Sequence, residues 1–165
     1  MRPMRTFGFA LAVSVGMASA ASVASAQAAP KKGAAAKPTA APDGSKIFAT
    51  TCVVCHELDG TGKEQLYPPL AGSEWVQGDE AKLIRIILHG LTGPVEVAGE
   101  TFSGAMPGWG PVLEDKDIAA VATYIRSSWG NKAAPVTAAK VTSIRAATTS
   151  RKVPWTVPEL AQVKD

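Results

Sequence analysis

"TCVVCHELDG", residues 51–60, places Cys52, Cys55 and His56 within five positions, and the chain has no third cysteine. A cysteine pair two residues apart suits dithiol redox chemistry, half of a zinc site, or covalent attachment of haem. The histidine that follows at once separates these, because Cys-x-x-Cys-His is the attachment pattern of c-type haem. Each thiolate adds to a haem vinyl group, giving thioethers at Cys52 and Cys55, and the spacing brings His56 under the iron as proximal ligand. Zinc needs four ligands, and only His56 and His89 exist to complete a Cys2His2 set. Cys55 and His56 are neighbours, a poor geometry for joint tetrahedral chelation. A thioredoxin-like motif would sit among alternating strands and helices, a pattern this chain lacks. A plain structural disulfide is disfavoured as well.

Iron in a porphyrin has a sixth position, and its occupant decides between electron carriage and chemistry on a bound ligand. Met106, in "GAMPGWG" (104–110), is the first candidate: it follows the cysteine motif by about fifty residues, lies in a Gly/Pro-rich stretch and offers a soft thioether. The other methionines, Met1, Met4 and Met17, fall in the N-terminal segment. His89 is the competitor. A lone histidine at the end of an apolar helix is more often a dipole partner or a structural hydrogen bonder, yet bis-histidine ligation stays open at this point.

Outward from the motif, residues 1–26 read as a secretory signal peptide. Arg2 and Arg5 make a basic start, Phe7 to Met17 is apolar, and Ala24-Ser25-Ala26 gives a small-residue cleavage site. The expected location is therefore the periplasm, with membrane contact only if this segment is retained as an anchor. Residues 27–42 are Ala, Pro and Lys without apolar periodicity, the composition of a flexible linker. The formal charge of +3 hides a change of sign along the chain: residues 43–131 carry six basic and twelve acidic groups, residues 132–165 six basic and two acidic. An acidic middle excludes a nucleic-acid partner and suits a protein with a basic face.

Asp43 is the expected N-cap of a first helix through Ile47, Phe48 and Cys52. A second, broadly apolar helix starts near Asp79 and stops at His89-Gly90. Between Gly93 and Gly110, Val95 and Val97 alternate with Glu96 before an Ala98-Gly99 turn, the pattern of a small hairpin or extended loop. A third strong helix spans Asp115 to Trp129, with Ile118, Val121, Ala122 and Ile125 on one stripe and Gly130 as its stop. The tail holds a weaker helix from Thr137 to about Ala147 and a Thr156–Glu159 capping box opening a last turn.

Residues 43–131 resemble the class I c-type cytochromes. The opening helix "GSKIFATTCVVCH" (44–56) is similar to that family's, and the resemblance implies that Gly44 and Phe48 pack on the last helix at Val121 and Tyr124. It further implies that the Pro68 carbonyl, in "PPLAG" (68–72), accepts the His56 Nδ1 proton, that Leu70 touches the haem, and that Met106 faces His56. The implied fold is a small all-α cytochrome c domain over 43–131, with a hairpin-like loop before the methionine and a basic extension at 132–165. "PPLAGSEW", "IILHGLTGPVEV", "MPGWG" and "IAAVATYIRSSWGN" are similar, more narrowly, to cytochromes that accompany bacterial dehydrogenases. One departure is Glu114 where Ser or Thr would cap the helix better.

The reading that follows is a periplasmic electron-transfer protein rather than an enzyme. It carries single electrons on one haem c, attached through two thioethers, between a donor dehydrogenase and an acceptor oxidase or another cytochrome. Two alternatives stand beside it: a haem-binding subunit of a larger dehydrogenase complex fastened by the basic tail, and an open-site haem enzyme or gas sensor. Trp75, Trp109 and Trp129 are candidates for shaping the pocket or donating to haem propionates, and Trp155 for anchoring the tail.

Overall fold

The computed structural model describes residues 41–163. The segment expected to be a signal peptide, residues 1–26, lies outside these residues, as does nearly all of the stretch 27–42 expected to be a linker. In chain order the elements are α1 (Gly44–Thr51), α2 (Val53–His56), α3 (Glu74–Gln77), α4 (Glu80–His89), β1 (Gly90–Val97), β2 (Glu100–Pro107), α5 (Asp115–Ser127), α6 (Ala138–Ala147) and α7 (Val157–Gln162). No helix among the described residues is long and apolar enough to cross a membrane.

Local chemistry accounts for most boundaries. The Asp43 carboxylate accepts from the backbone N–H of Ser45 at 3.0 Å and Lys46 at 3.3 Å, satisfying two of the four free donors at the start of α1. Asp79 does the same for α4 through Ala81 N–H at 2.8 Å. Glu114 opens α5 although it is a weaker capping type, because its own N–H donates to Asp117 Oδ2 at 3.1 Å. In the tail, Thr137 accepts from Lys140 N–H, and Glu159 returns to Thr156 N–H at 2.8 Å.

The core lies where α1 and α4 meet α5. Phe48, Ile84, Ile118 and Ala122 are fully buried there. Gly44 is obligatory at the α1–α5 crossing, since a Cβ on it would lie 2.2 Å from the Ala120 carbonyl oxygen and 2.9 Å from Tyr124 Cβ. Phe48 meets the Tyr124 ring at a centroid distance of 5.6 Å and Trp129 at 5.1 Å, tilted arrangements that add to its burial.

The all-α expectation needs one amendment. The segment between α4 and α5 is a two-stranded antiparallel sheet of eight residues a side, in register from Gly90 opposite Pro107 to Val97 opposite Glu100. Ala98 and Gly99 both take positive φ, 52° and 82°, the requirement of a two-residue turn matching the strand twist. The inward residues Val95, Val97 and Phe102 are buried together, which gives this hairpin its own small core. The reading from sequence placed the turn correctly and underestimated the strands, because Gly93, Pro94 and Gly104 interrupt the strand pattern.

Candidate functional site

All six residues singled out from the sequence, Cys52, Cys55, His56, Pro68, Leu70 and Met106, line one cleft. It is open to solvent on one side, and its walls are overwhelmingly apolar. Elements distant in sequence supply them: α1 and α2 the cysteine side, the 60–70 loop the edge near His56, the hairpin the side with Met106.

Cys52 closes α1 and begins the short turn of α2, which carries Cys55 and His56. The two thiols are not joined to each other. Burial, with the neighbouring Cys55 adding to it, pushes the Cys52 thiol up to about 11. After His56 the chain reverses at Glu57, a non-glycine residue at φ 56°.

The His56 side chain is buried, and its Nδ1 lies 3.0 Å from the Pro68 carbonyl oxygen. A carbonyl only accepts, so Nδ1 must carry the proton and donate, which leaves Nε2 as the lone-pair nitrogen. Burial lowers the His56 pKa from its ordinary value, against a smaller opposing effect of the Pro68 bond, so the ring is held neutral and able to ligate. The Pro68 carbonyl reaches this position because the loop passes tightly over Gly62: a Cβ there would sit 2.3 Å from the Tyr67 and 2.7 Å from the Pro68 carbonyl oxygen. Leu70 is set by its N–H donating to Gly60 O at 2.8 Å.

Met106 stands on β2 itself, opposite Leu91, rather than in a loose loop beyond it. The chain after it is tied to the end of α4: Trp109 N–H donates to Ile87 O at 2.8 Å and Gly110 N–H to Leu88 O at 3.0 Å. Gly108 permits this approach, since a Cβ there would lie 2.6 Å from the His89 carbonyl carbon.

His89 does not line the cleft. Its Nε2 lies 2.7 Å from Thr148 Oγ1, whose own hydrogen goes to Ile144 O at 2.7 Å, so the imidazole nitrogen is the donor. Burial and then the charges of Arg151, Arg145 and Lys152 depress its pKa. This is the structural role that a histidine at a helix end more commonly plays. Trp75 and Trp109 do line the cleft, and the Trp75 indole N–H is committed to Glu96 O at 2.9 Å. Trp129 instead packs on Phe48 and Tyr124 and roofs Gly60.

Among the described residues no group of three or more His, Cys, Asp or Glu side chains could hold a metal ion on its own. The donor set is thus two free thiols, one oriented imidazole and one thioether around an apolar cleft. A family model described as "Cytochrome C oxidase, cbb3-type, subunit III" matches residues 39–125. The chain belongs to this cytochrome c family. The cytochrome c-552 of Thermus thermophilus is 38% identical over 116 residues, covering 65% of this chain and 77% of that protein. The cytochrome c subunit of a quinone-dependent alcohol dehydrogenase from Gluconacetobacter polyoxogenes is 39% identical over 109 residues. That match covers 65% of this chain and 23% of the relative, so the chain spans about a quarter of the length of that subunit. The cbb3-type cytochrome c oxidase subunit FixP of Bradyrhizobium diazoefficiens is 36% identical over 94 residues, 56% of this chain and 29% of that subunit. Membership of the cytochrome c family implies haem c as cofactor and electron transfer as role, as the sequence reading expected.

Two residues of consequence escaped that reading. Asn131, buried just after the α5 stop, donates to Leu70 O at 2.9 Å and Ile125 O at 2.8 Å and accepts from Gly72 N–H at 2.9 Å, bracing the loop that carries Leu70. Arg145 in the tail bonds the chain downstream of Met106. A polar residue beside a helix-stopping glycine was the available signal for the first; the second had none, because a lone Arg in a weakly amphipathic helix reads as a solvated charge.

Proposed function

We propose that this cytochrome c domain is a periplasmic single-electron carrier holding one haem c, with thioethers to Cys52 and Cys55 and axial ligation by His56 and Met106. The observation that carries the proposal is the shared cleft: both thiols, the imidazole and the thioether open into one apolar space, with His89 engaged elsewhere. The haem supplies the one-electron couple. The residues of the chain set its conditions. Pro68 fixes the His56 ring and, by accepting the Nδ1 proton, raises the basicity of Nε2. Met106 offers a soft donor that favours the reduced state, and the apolar walls exclude water, so both act to raise the potential. Rigid attachment of His56 and Met106 to hydrogen-bonded elements keeps rearrangement between oxidation states small.

Its donor is a bacterial dehydrogenase and its acceptor a terminal oxidase or another cytochrome. Support comes from relatives named as the cytochrome c subunit of a quinone-dependent alcohol dehydrogenase and as the FixP subunit of a cbb3-type cytochrome c oxidase. The exported form follows from residues 1–26. Spectroscopy of the purified periplasmic protein tests the proposal: haem that stays with the chain under acid-acetone extraction, a reversible one-electron cycle, and a methionine-to-ferric-iron charge-transfer band lost in Met106→Ala. Extractable haem or a band untouched by that substitution would contradict it.

A further inference from the structure

The tail after α5 does more than cover the domain. It returns across the methionine side and grips the arm carrying Met106 at two separate places. In α6, the Arg145 guanidinium donates through Nη1 to Gly110 O at 2.6 Å and through Nη2 to Leu113 O at 2.8 Å, while its Nε donates to Asp115 Oδ1 at 2.6 Å. Further on, Trp155 N–H donates to Gly90 O at 2.9 Å and Trp155 O accepts from Thr92 N–H at 2.8 Å, a parallel bridge centred on Leu91.

We propose that the C-terminal extension is a strap positioning Met106, with Arg145 and Trp155 as its fasteners, so that the extension governs how readily the methionine leaves the iron. The inference rests on the His56/Met106 ligation proposed above and adds the control over it.

Gly110 and Leu113 are the fourth and seventh residues after Met106, and the planar guanidinium bonds both carbonyls at once while Asp115, in the first turn of α5, holds it in place. Charge-assisted bonds from one rigid fork restrain a loop more than separate neutral ones do. At the other fastener, Leu91 stands between Met106 on β2 and Trp155 in the tail, so β1 becomes a central strand at the end of the hairpin where Met106 sits. Without the tail that end would be a solvent-facing edge, the kind of segment that opens locally. Trp155, Met106 and Leu91 also share an apolar cluster with Ile86 and Leu160. The Trp155 indole Nε1 is buried without a hydrogen-bond partner among the described residues, so apolar packing and the Arg151 guanidinium, 3.6 Å over the ring centroid, hold the ring there. A third tail attachment lies away from this arm: Val136 N–H donates to Thr123 Oγ1 at 3.0 Å, and that hydroxyl donates to Val136 O at 3.2 Å.

The test uses the full haem-loaded chain. Imidazole is added to the ferric protein, and the rate at which it displaces methionine is read from the decay of the charge-transfer band. Arg145→Ala and Trp155→Ala should each accelerate displacement at least about tenfold, the scale of losing one bond to a charged group or one buried ring contact. Arg145→Lys, which keeps the charge but cannot span both carbonyls, should fall between and guards against misfolding of the alanine variant. Thr123→Val removes a tail attachment remote from the arm and should stay within about twofold. Hydrogen exchange at the Trp109 and Gly110 amides should quicken in parallel. Unchanged displacement in the Arg145 and Trp155 variants with the band intact would overturn the strap alone, as would equal acceleration in Thr123→Val. A band that survives Met106→Ala in the otherwise wild-type chain would overturn the ligation itself, and the strap with it.

Discussion

On the cysteine side of the cleft, His56 is oriented by a carbonyl twelve residues downstream and by a loop whose bonds close within residues 56–71. On the methionine side, Met106 is set by α4, by β1, by the α5 entry and by two points of a tail up to 49 residues further along. The first side is built largely by short-range closure, with a long-range brace from Asn131 on the Leu70 loop, and the second almost wholly by segments that meet only in the folded chain. Under the proposed ligation, a covalent anchor would tolerate a small local scaffold, whereas a thioether held by coordination alone would depend on the whole arm keeping its register.

The largest expected effect tests this asymmetry. Replacing Cys52 and Cys55 together by serine should abolish haem that co-migrates with the chain on a denaturing gel, while Met106→Ala should leave that haem in place. Phe48→Ala comes next, because the ring is fully buried where α1 meets α5 and Trp129; a loss of about 3–5 kcal/mol in denaturant unfolding is expected. If it lost little, the helical core would not be what supports the cysteine side.

Asn131→Ala removes three bonds to the backbone at 72, 70 and 125 and should cost about 2–4 kcal/mol, with extra exchange at the Gly72 amide. A cost no larger than that of a surface substitution would show that the Leu70 loop stands without its brace.

This division also explains how much was legible beforehand. The CxxCH spacing, the Asp43 and Asp79 caps, the α4 stop at Gly90 and the tail capping box are local patterns, and each could be read from a few adjacent residues. The length of β1 and β2 could not, because Gly93, Pro94 and Gly104 carry poor strand propensity and are held by pairing across the ladder. Met106 was legible as a residue type and not as a strand position. Arg145 was not legible at all: its partners at 110, 113 and 115 are brought to it only by the packing of α6 on α5.

The smallest effect is one of pH. A hydrogen bond from Thr142, and then the Arg145 contact, hold the Asp115 pKa below its ordinary value against partial burial. A carboxylate depressed in the folded state contributes stability that is present above its unfolded pKa and is lost as pH falls through the folded value. The opening free energy of α6, taken from hydrogen exchange after correction for the pH dependence of the intrinsic exchange rate, should therefore be constant near neutrality and fall only below about pH 4. Asp115→Asn should flatten that acid response while costing no more than about 1 kcal/mol at neutral pH, the scale of a partly exposed ion pair.

The convergence of imidazole and thioether on one haem is tested most directly by proton NMR of the reduced protein, in which Met106 is the only methionine beyond residue 17. A methyl group bound to the iron lies over the porphyrin face, so the account requires a three-proton singlet shifted far upfield by the ring current and absent from Met106→Ala. A Met106 methyl resonance at its ordinary position, in protein whose haem is covalently attached and fully reduced, would contradict it.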